Sequence, residues 1–193
     1  LSASSVMHYH RMLRALLNYA VKCGYIATNP ALRVTAPRQE QREAAYYDDV
    51  QSARLLKALE VAPVKYRAGV MLALLGQLRK GEIAGLDWQD ADLDARLLHI
   101  RRSATHVPGV GVVVKSPKTQ SGKRLIALPQ DMIDVLKALK REQAADRLQM
   151  GETWVDSGAM FTAWNGSRQH PDTIGKWFSR FLAEHNLPHI RFH

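Results

Sequence analysis

The sequence LLGQLRKGEIAGLDWQDADLD, residues 74–94, lies where the chain changes from helical to strand-like patterning. A strongly apolar run before it predicts a helix over about residues 65–78. Within residues 74–94, Glu82, Ile83 and Leu86 predict a second, short helix. After residues 74–94, the first strand-like segment starts at Leu97. The change of period predicts that helices lead directly into a sheet, as in an α+β domain.

The segments on either side extend this pattern. Three strands are predicted over residues 97–102, 110–115 and 124–128, and Pro108-Gly109 and Ser121-Gly122 supply turns for a small antiparallel sheet. An earlier helix begins with a capping-box pattern at Asp48 and Gln51. Helices are also predicted over about 131–150 and 172–185, and a short strand is considered at 159–161. The fold class predicted is therefore α+β, mostly helical, with a small antiparallel sheet.

The first part of the chain has its own pattern. Apolar residues at three- and four-residue steps predict a helix over about residues 5–23, and Gly24 and the Asn29-Pro30 pair follow as stop and turn. Residues 36–45, APRQEQREAA, are polar and predict an interdomain linker. We therefore expect a helical part over 1–35, a linker over 36–45 and a second domain over 46–193. The single cysteine, Cys23, is predicted to be buried and unreactive.

The charge of the chain indicates its partner. Twenty-seven Lys and Arg residues against 18 Asp and Glu give a net charge of +9, and the isoelectric point is near 9.9. No acidic residue lies between Asp94 and Asp131, although basic residues recur there. A basic surface of this kind indicates a polyanionic partner, with nucleic acid ahead of an acidic membrane. No apolar run approaches the roughly 20 residues of a membrane span, so an intracellular, cytoplasmic protein is expected.

Three common catalytic patterns are absent from the sequence. It contains no glycine-rich phosphate loop, no metal-ligand spacing of His and Glu and no Gly-x-Ser-x-Gly elbow. We therefore expect no metal ion and no cofactor. Trp88 is predicted to lie in the core, and Trp154, Trp164 and Trp177 are assigned to packing.

Three motifs, in order, resemble those of the tyrosine recombinase (phage integrase) family. The first is residues 74–94, with Arg79, an acidic residue three positions later, and Leu-x-Trp-x-Asp. The second is SPKTQSGKRLIALP, residues 116–129, which resembles the β-hairpin of the family that carries a lysine. The third is the segment that ends at His193, which resembles the start of the His-x-x-Arg signature. Residues up to Asn29-Pro30 resemble the last helices of the helical core-binding domain that clamps DNA.

The resemblance implies roles for particular residues. The reaction of the family is a transesterification at a DNA phosphodiester, in which a tyrosine attacks phosphorus without metal or nucleotide. It implies that Arg79 holds transition-state charge, Lys118 protonates the leaving oxygen and His193 acts as a hydrogen-bonding acid or base. Glu82 would orient the Arg79 guanidinium, and Lys115 and Lys123 compete with Lys118 for its role. Arg79 and Lys118 should then border one concave, basic surface.

Other basic residues are candidates for contacts with DNA phosphates. They are Arg101, Arg102, Lys115, Lys123, Arg124, Arg168, Lys176 and Arg180. The implied partners are double-stranded DNA and further copies of the full-length protein, as a multimer on paired sites. A bacterial or phage origin is expected. Two alternatives stay open: a non-catalytic DNA-binding or architectural protein, and an enzyme similar to type IB topoisomerases.

The sequence departs from the family pattern in two places. Gln77 stands where the family usually has glycine before the signature arginine. The second arginine and the tyrosine nucleophile of the family would lie beyond His193, and none of the six tyrosines follows Tyr66. We therefore expect a catalytic domain truncated before the nucleophile, inactive as the 193-residue chain, from an active parent.

Overall fold

The computed structural model describes residues 2–35, 46–116 and 122–192. The chain divides into two compact units, 1–44 and 45–193. The predicted linker over 36–45 lies outside the described residues, so the three-part domain organisation stays a prediction.

The first unit is one helix tied to a short turn. Helix α1 spans Ala3–Lys22, and a 3-10 helix spans Pro30–Arg33. The buried Asn29 side chain joins them, because its amide donates to the Arg14 carbonyl at 3.0 Å and to Asn18 Oδ1 at 2.7 Å. Cys23 is exposed, so its predicted burial is wrong. It lies at the end of α1, which buries none of its residues.

The second unit begins with three helices. Helix α2 spans Asp49–Leu59, and its start confirms the predicted capping box: Asp48 accepts from the Gln51 N–H and Gln51 accepts from the Asp48 N–H. Helix α3 spans Val64–Leu74 and is buried over its second half, from Ala68 to Leu72. Helix α4 spans Lys80–Gly85, as the short helix predicted from Glu82 and Ile83.

The predicted helix over 65–78 ends four residues early, at Leu74. The cause is the backbone of Gln77, whose φ of 52° lies in the left-handed region. The chain turns there, so the Leu78 N–H returns to the Leu72 carbonyl at 3.2 Å, and Leu78 is buried. A left-handed residue at this position accounts for glycine in the family pattern, because glycine has no Cβ to clash in that conformation.

We expect Gln77→Gly to raise the free energy of unfolding by about 0.5–1 kcal/mol, since it relieves the left-handed strain at an exposed side chain. Urea denaturation followed by tryptophan fluorescence measures this change. Gln77→Ala is the matched control, because it removes the same side chain and keeps the Cβ. A glycine variant no more stable than the alanine variant would contradict the assignment of strain.

The strands form two antiparallel sheets. Their bounds are Ala91–Asp92 for β1, Leu97–Ile100 for β2, Ser103–Val107 for β3, Gly111–Lys115 for β4 and Arg124–Ala127 for β5. The order β1-β2-β5 makes one sheet, in which Ile100 faces Arg124, and β3 pairs with β4 in the other. The predicted strand over 97–102 stops at Ile100. Strand β3 went unpredicted because it buries only Ala104 and has no apolar alternation.

Two further helices complete the core. Helix α5 spans Gln130–Met150 and helix α6 spans Thr173–Glu184. Residues 159–161 are buried but form no regular strand, only an isolated bridge from Asp87 to Ala159. The core lies between the helices and the three-stranded sheet. The fold is therefore α+β, mostly helical, with small antiparallel sheets, as predicted.

The tryptophans differ in burial. Trp88 is half-buried and packs against the core, as predicted. Trp177 stacks on Tyr66 with 4.6 Å between ring centroids. Trp164 is 77% exposed, so its assignment to packing is wrong. Its neighbour Gly166 allows the turn around it, with a φ of 84°.

Candidate active site

Arg79 occupies the position just before α4, and the sequence of α4 fixes where it lies. A Cβ at Gly81 would lie 2.6 Å from Ser103 Oγ, and a Cβ at Gly85 would lie 3.0 Å from the Arg102 carbonyl. These two glycines therefore let α4 pack directly on β3. Arg79 has extended backbone at the start of the helix, and its side chain is 78% exposed. The guanidinium is thus presented to solvent from a fixed backbone.

Glu82 is the buried centre of this arrangement. Its Oε2 accepts from the Arg79 backbone N–H at 2.9 Å, and its Oε1 lies 3.4 Å from Arg79 Nη1. Arg124 donates to both carboxylate oxygens, from Nη1 at 3.0 Å and from Nη2 at 2.8 Å. Burial raises the pKa of Glu82, but the hydrogen bonds from Arg124 and from Arg79 outweigh it and leave the pKa below its usual value. Glu82 is therefore a carboxylate at neutral pH.

The first turn of α6 lies close to the first turn of α4. Lys80 Nζ donates to Asp172 Oδ1 at 2.6 Å, and this hydrogen bond lowers the pKa of Asp172 below its usual value. Phe192 packs on the same part of α6, because a Cβ at Gly175 would lie 3.7 Å from it and its ring meets that of Phe178 edge-on. The segment that leads to residue 193 therefore lies along α6, and Asp172, the residue before this helix, contacts Lys80 of α4.

Two of the predicted catalytic residues, Lys118 and His193, lie outside the described residues. Their roles, and the concave surface shared by Arg79 and Lys118, therefore stay predictions. The role of Glu82 also stays a prediction, although the structure places it within reach of Arg79.

Three of the predicted DNA contacts come together. Arg101, Arg102 and Lys123 line one concavity of about 270 Å³. Arg102 is also held by acidic residues, since its Nη2 lies 2.5 Å from Asp90 Oδ2 and 2.7 Å from an oxygen of Asp87. Arg101 is half-exposed at 51%. This concavity therefore presents positive charge from Lys123, which precedes β5, and from the two arginines that follow β2.

The remaining predicted DNA contacts lie elsewhere. Lys115 is exposed at the end of β4, opposite Ser103. Lys176 and Arg180 are exposed, one turn apart, on α6. Arg124 donates hydrogen bonds to the Glu82 carboxylate from both terminal nitrogens. The structure therefore separates this group into exposed cations and one half-buried ion pair.

Arg168 is part of the packing of the domain. Its side chain is 13% exposed and forms an ion pair with Asp87. The same guanidinium donates to the carbonyls of Ala84 at 2.9 Å and Leu86 at 3.2 Å. With three acceptors around it, this arginine fixes the end of α4 and is not a surface contact.

Sequence reasoning missed three ion pairs around the site: Glu82 with Arg124, Lys80 with Asp172, and Arg168 with Asp87. The pairs are 42, 92 and 81 residues apart. Several acidic residues of the chain could have paired with each of these basic residues, so no local sequence signal could identify the actual partner. Among residues 2–35, 46–116 and 122–192, no cluster of His, Cys, Asp and Glu could hold a metal ion. No helix in these ranges is long and apolar enough to cross a membrane.

The sequence pattern of the phage integrase family matches residues 46–193, which is all but the first residue of the second compact unit. The match covers more than half of the chain and includes Arg79, Glu82 and Arg124. The chain belongs to the phage integrase family.

Individual relatives agree with this assignment. The chain is 25% identical over 209 residues to a protein named "Tyrosine recombinase XerC-like" from Caldanaerobacter subterraneus subsp. tengcongensis, covering 100% of this chain and 53% of the relative. It is 29% identical over 192 residues to the integrase of Mycobacterium phage L5, covering 96% of this chain and 48% of the relative. The chain thus spans about half the length of these curated relatives.

Solved structures share the fold. The Tn1549 transposon integrase, solved in complex with transposon right end DNA, superposes with a TM-score of 0.80 at 21% identity, over 98% of this chain and 60% of that one. A lambda integrase dimer bound to a COC′ core site gives a TM-score of 0.60 at 17% identity, over 98% of this chain and 47% of that one. At these identities the similarity establishes the fold.

Proposed function

We propose that this chain is part of a site-specific DNA recombinase that cuts and rejoins double-stranded DNA through a 3′-phosphotyrosyl intermediate. The observation that carries the proposal is the arrangement of Arg79. Its backbone is fixed by the buried Glu82 carboxylate at 2.9 Å, while its guanidinium is 78% exposed. A charged, bidentate donor held in this way suits a phosphate that gains negative charge in the transition state.

The proposed reaction exchanges a phosphodiester bond of DNA for a phosphotyrosine bond. A tyrosine oxygen bonds to phosphorus as the bond to the 5′-oxygen breaks, so the energy of one ester is kept in the other. Arg79 donates to the non-bridging oxygens in the five-coordinate transition state. Lys118 is proposed to give its proton to the leaving 5′-oxygen, and His193 to hydrogen-bond a non-bridging oxygen or take the tyrosine proton.

Double-stranded DNA is the proposed partner. The net charge of +9 and the concavity lined by Arg101, Arg102 and Lys123 support contact with phosphates. The Tn1549 integrase was solved in complex with DNA, which supports DNA binding by this chain. Lambda integrase was solved as a dimer on a core site, which supports self-association on paired sites. Membership in the phage integrase family favours recombination over a purely architectural role.

The 193-residue chain is proposed to be inactive by itself, because no tyrosine follows Tyr66. Strand cleavage needs a nucleophile, and no arginine or lysine can replace the covalent bond that a tyrosine forms. The nucleophile is proposed to lie in the full-length protein that carries these residues.

A pool of nicked duplexes with randomised sequence, which trap the covalent intermediate, tests this proposal. The full-length protein is expected to form an adduct that is stable in denaturant, and the 193-residue chain is expected to form none. An adduct formed by the 193-residue chain would contradict this proposal, because it would place the nucleophile among the residues of this chain. No adduct from the full-length protein, despite salt-dependent binding of duplex DNA, would favour an architectural protein.

A second assay separates recombination from topoisomerase activity. Two copies of a duplex selected in the first assay are expected to exchange strands with each other. Relaxation of supercoiled plasmid that lacks the selected duplex, without strand exchange between copies, would favour the topoisomerase-like alternative.

A further inference from the structure

Arg124 has a contact pattern that differs from that of a DNA-facing cation. It is the first residue of β5, and it donates to both oxygens of the buried Glu82 carboxylate, at 3.0 and 2.8 Å. A third contact runs from its Nη2 to the Gln77 carbonyl at 3.4 Å. The guanidinium thus contacts the turn before Arg79 and the carboxylate that binds the Arg79 backbone.

The distances show which cation Glu82 holds more closely. Arg124 approaches the carboxylate to 2.8 Å, whereas the closest contact of the Arg79 side chain is 3.4 Å. The Arg124 side chain is 33% exposed and the Arg79 side chain 78%. Glu82 is therefore neutralised mainly from β5, and the Arg79 guanidinium keeps its charge available to solvent.

We propose that Arg124 is a positioning residue for the reaction: by binding both oxygens of Glu82, it keeps the Arg79 guanidinium extended toward the DNA phosphate. The inference rests on the proposed function. Without Arg124, Glu82 would keep one charged partner among its described contacts, the Arg79 side chain three residues away. A buried carboxylate attracts such a partner strongly, because it is poorly solvated. Arg79 would then fold back onto Glu82 and leave the phosphate.

The test measures DNA affinity and the cleavage rate constant at saturating DNA separately, in the full-length protein. Arg124→Met is expected to leave the dissociation constant within about twofold and to slow cleavage about 10- to 100-fold, as for a misplaced catalytic group. Arg124→Lys should recover part of the rate, since lysine keeps the charge but cannot bridge both oxygens. Arg141→Met, on the exposed face of α5, is the matched control and should cleave like the wild type.

A double-mutant cycle distinguishes this role from a structural one. In Glu82→Gln the charge that attracts Arg79 is gone, so adding Arg124→Met should change the cleavage rate by less than about threefold. The double variant also has no unpaired buried carboxylate, so it gives an answer even where Arg124→Met folds poorly. The ratio of wild-type to Arg124→Met rates should shrink as pH falls, because the pKa of Glu82 rises when Arg124 is lost and protonation then removes the charge.

Three results would overturn the role proposed for Arg124. Weaker DNA binding with a smaller salt dependence, and an unchanged rate at saturation, would overturn the inference and place Arg124 on a phosphate. An equal loss of rate in the Glu82→Gln background would also overturn it. Failure of the wild-type full-length protein to cleave any duplex would overturn the proposed function and this inference together.

Discussion

Replacement of Arg79 by alanine is expected to slow formation of the covalent adduct about 10³-fold in the full-length protein, measured at saturating DNA. The reason is that its guanidinium can donate two hydrogen bonds to oxygens whose charge grows only in the transition state. A loss of this size corresponds to about 4 kcal/mol of activation free energy. DNA affinity should fall much less, because one phosphate contact among many is lost.

Two variants control this measurement. Arg79→Lys keeps the charge but presents a single point donor, so it should regain only part of the rate. Arg141→Ala removes an exposed arginine of α5 and should leave the rate within about twofold of the wild type. A large loss of affinity in Arg79→Ala, with normal cleavage once DNA is saturating, would make Arg79 a binding residue and remove it from the transition state.

Local signals predicted the fold well. The capping box at Asp48 and Gln51 involves residues three apart, and the structure has both of its hydrogen bonds. The short helix α4 and the strands β2 and β5 also follow from apolar residues close together in sequence. Strand β3 could not be found this way. It is held by its pairing with β4 and by the close approach of Gly81 and Gly85, which only the folded chain reveals.

The site was predictable only in part. Family motifs selected Arg79 and Glu82, and the structure brings them within 3.4 Å. The charge pattern alone could not tell exposed cations from paired ones, because it counts residues and not their neighbours. Arg124 and Arg168 were therefore grouped with surface residues such as Lys176, although each is committed to a carboxylate inside the domain. Likewise, nothing in the sequence around Trp164 indicates that its side chain is exposed.

Arg168→Met is expected to lower the free energy of unfolding of the second unit by about 2–4 kcal/mol. The variant keeps most of the volume of the side chain but leaves the Ala84 and Leu86 carbonyls without this donor. Asp87, which is 8% exposed, keeps its ion pair with Arg102 at 2.7 Å, so the loss stays below that of a fully unpaired buried charge. All four tryptophans lie in this unit, so their fluorescence during urea denaturation reports on it selectively.

The pair of Arg147 and Asp156 supplies the matched control for Arg168. These side chains are 60% and 62% exposed and lie 3.1 Å apart, so Arg147→Met should cost no more than about 0.5 kcal/mol. The two variants make the same chemical change and differ in the burial of the pair. Asp87→Asn combined with Arg168→Met should recover part of the loss, because a neutral amide needs no compensating charge. If Arg168→Met instead weakened DNA binding and left stability unchanged, its guanidinium would contact DNA and would not fix the end of α4.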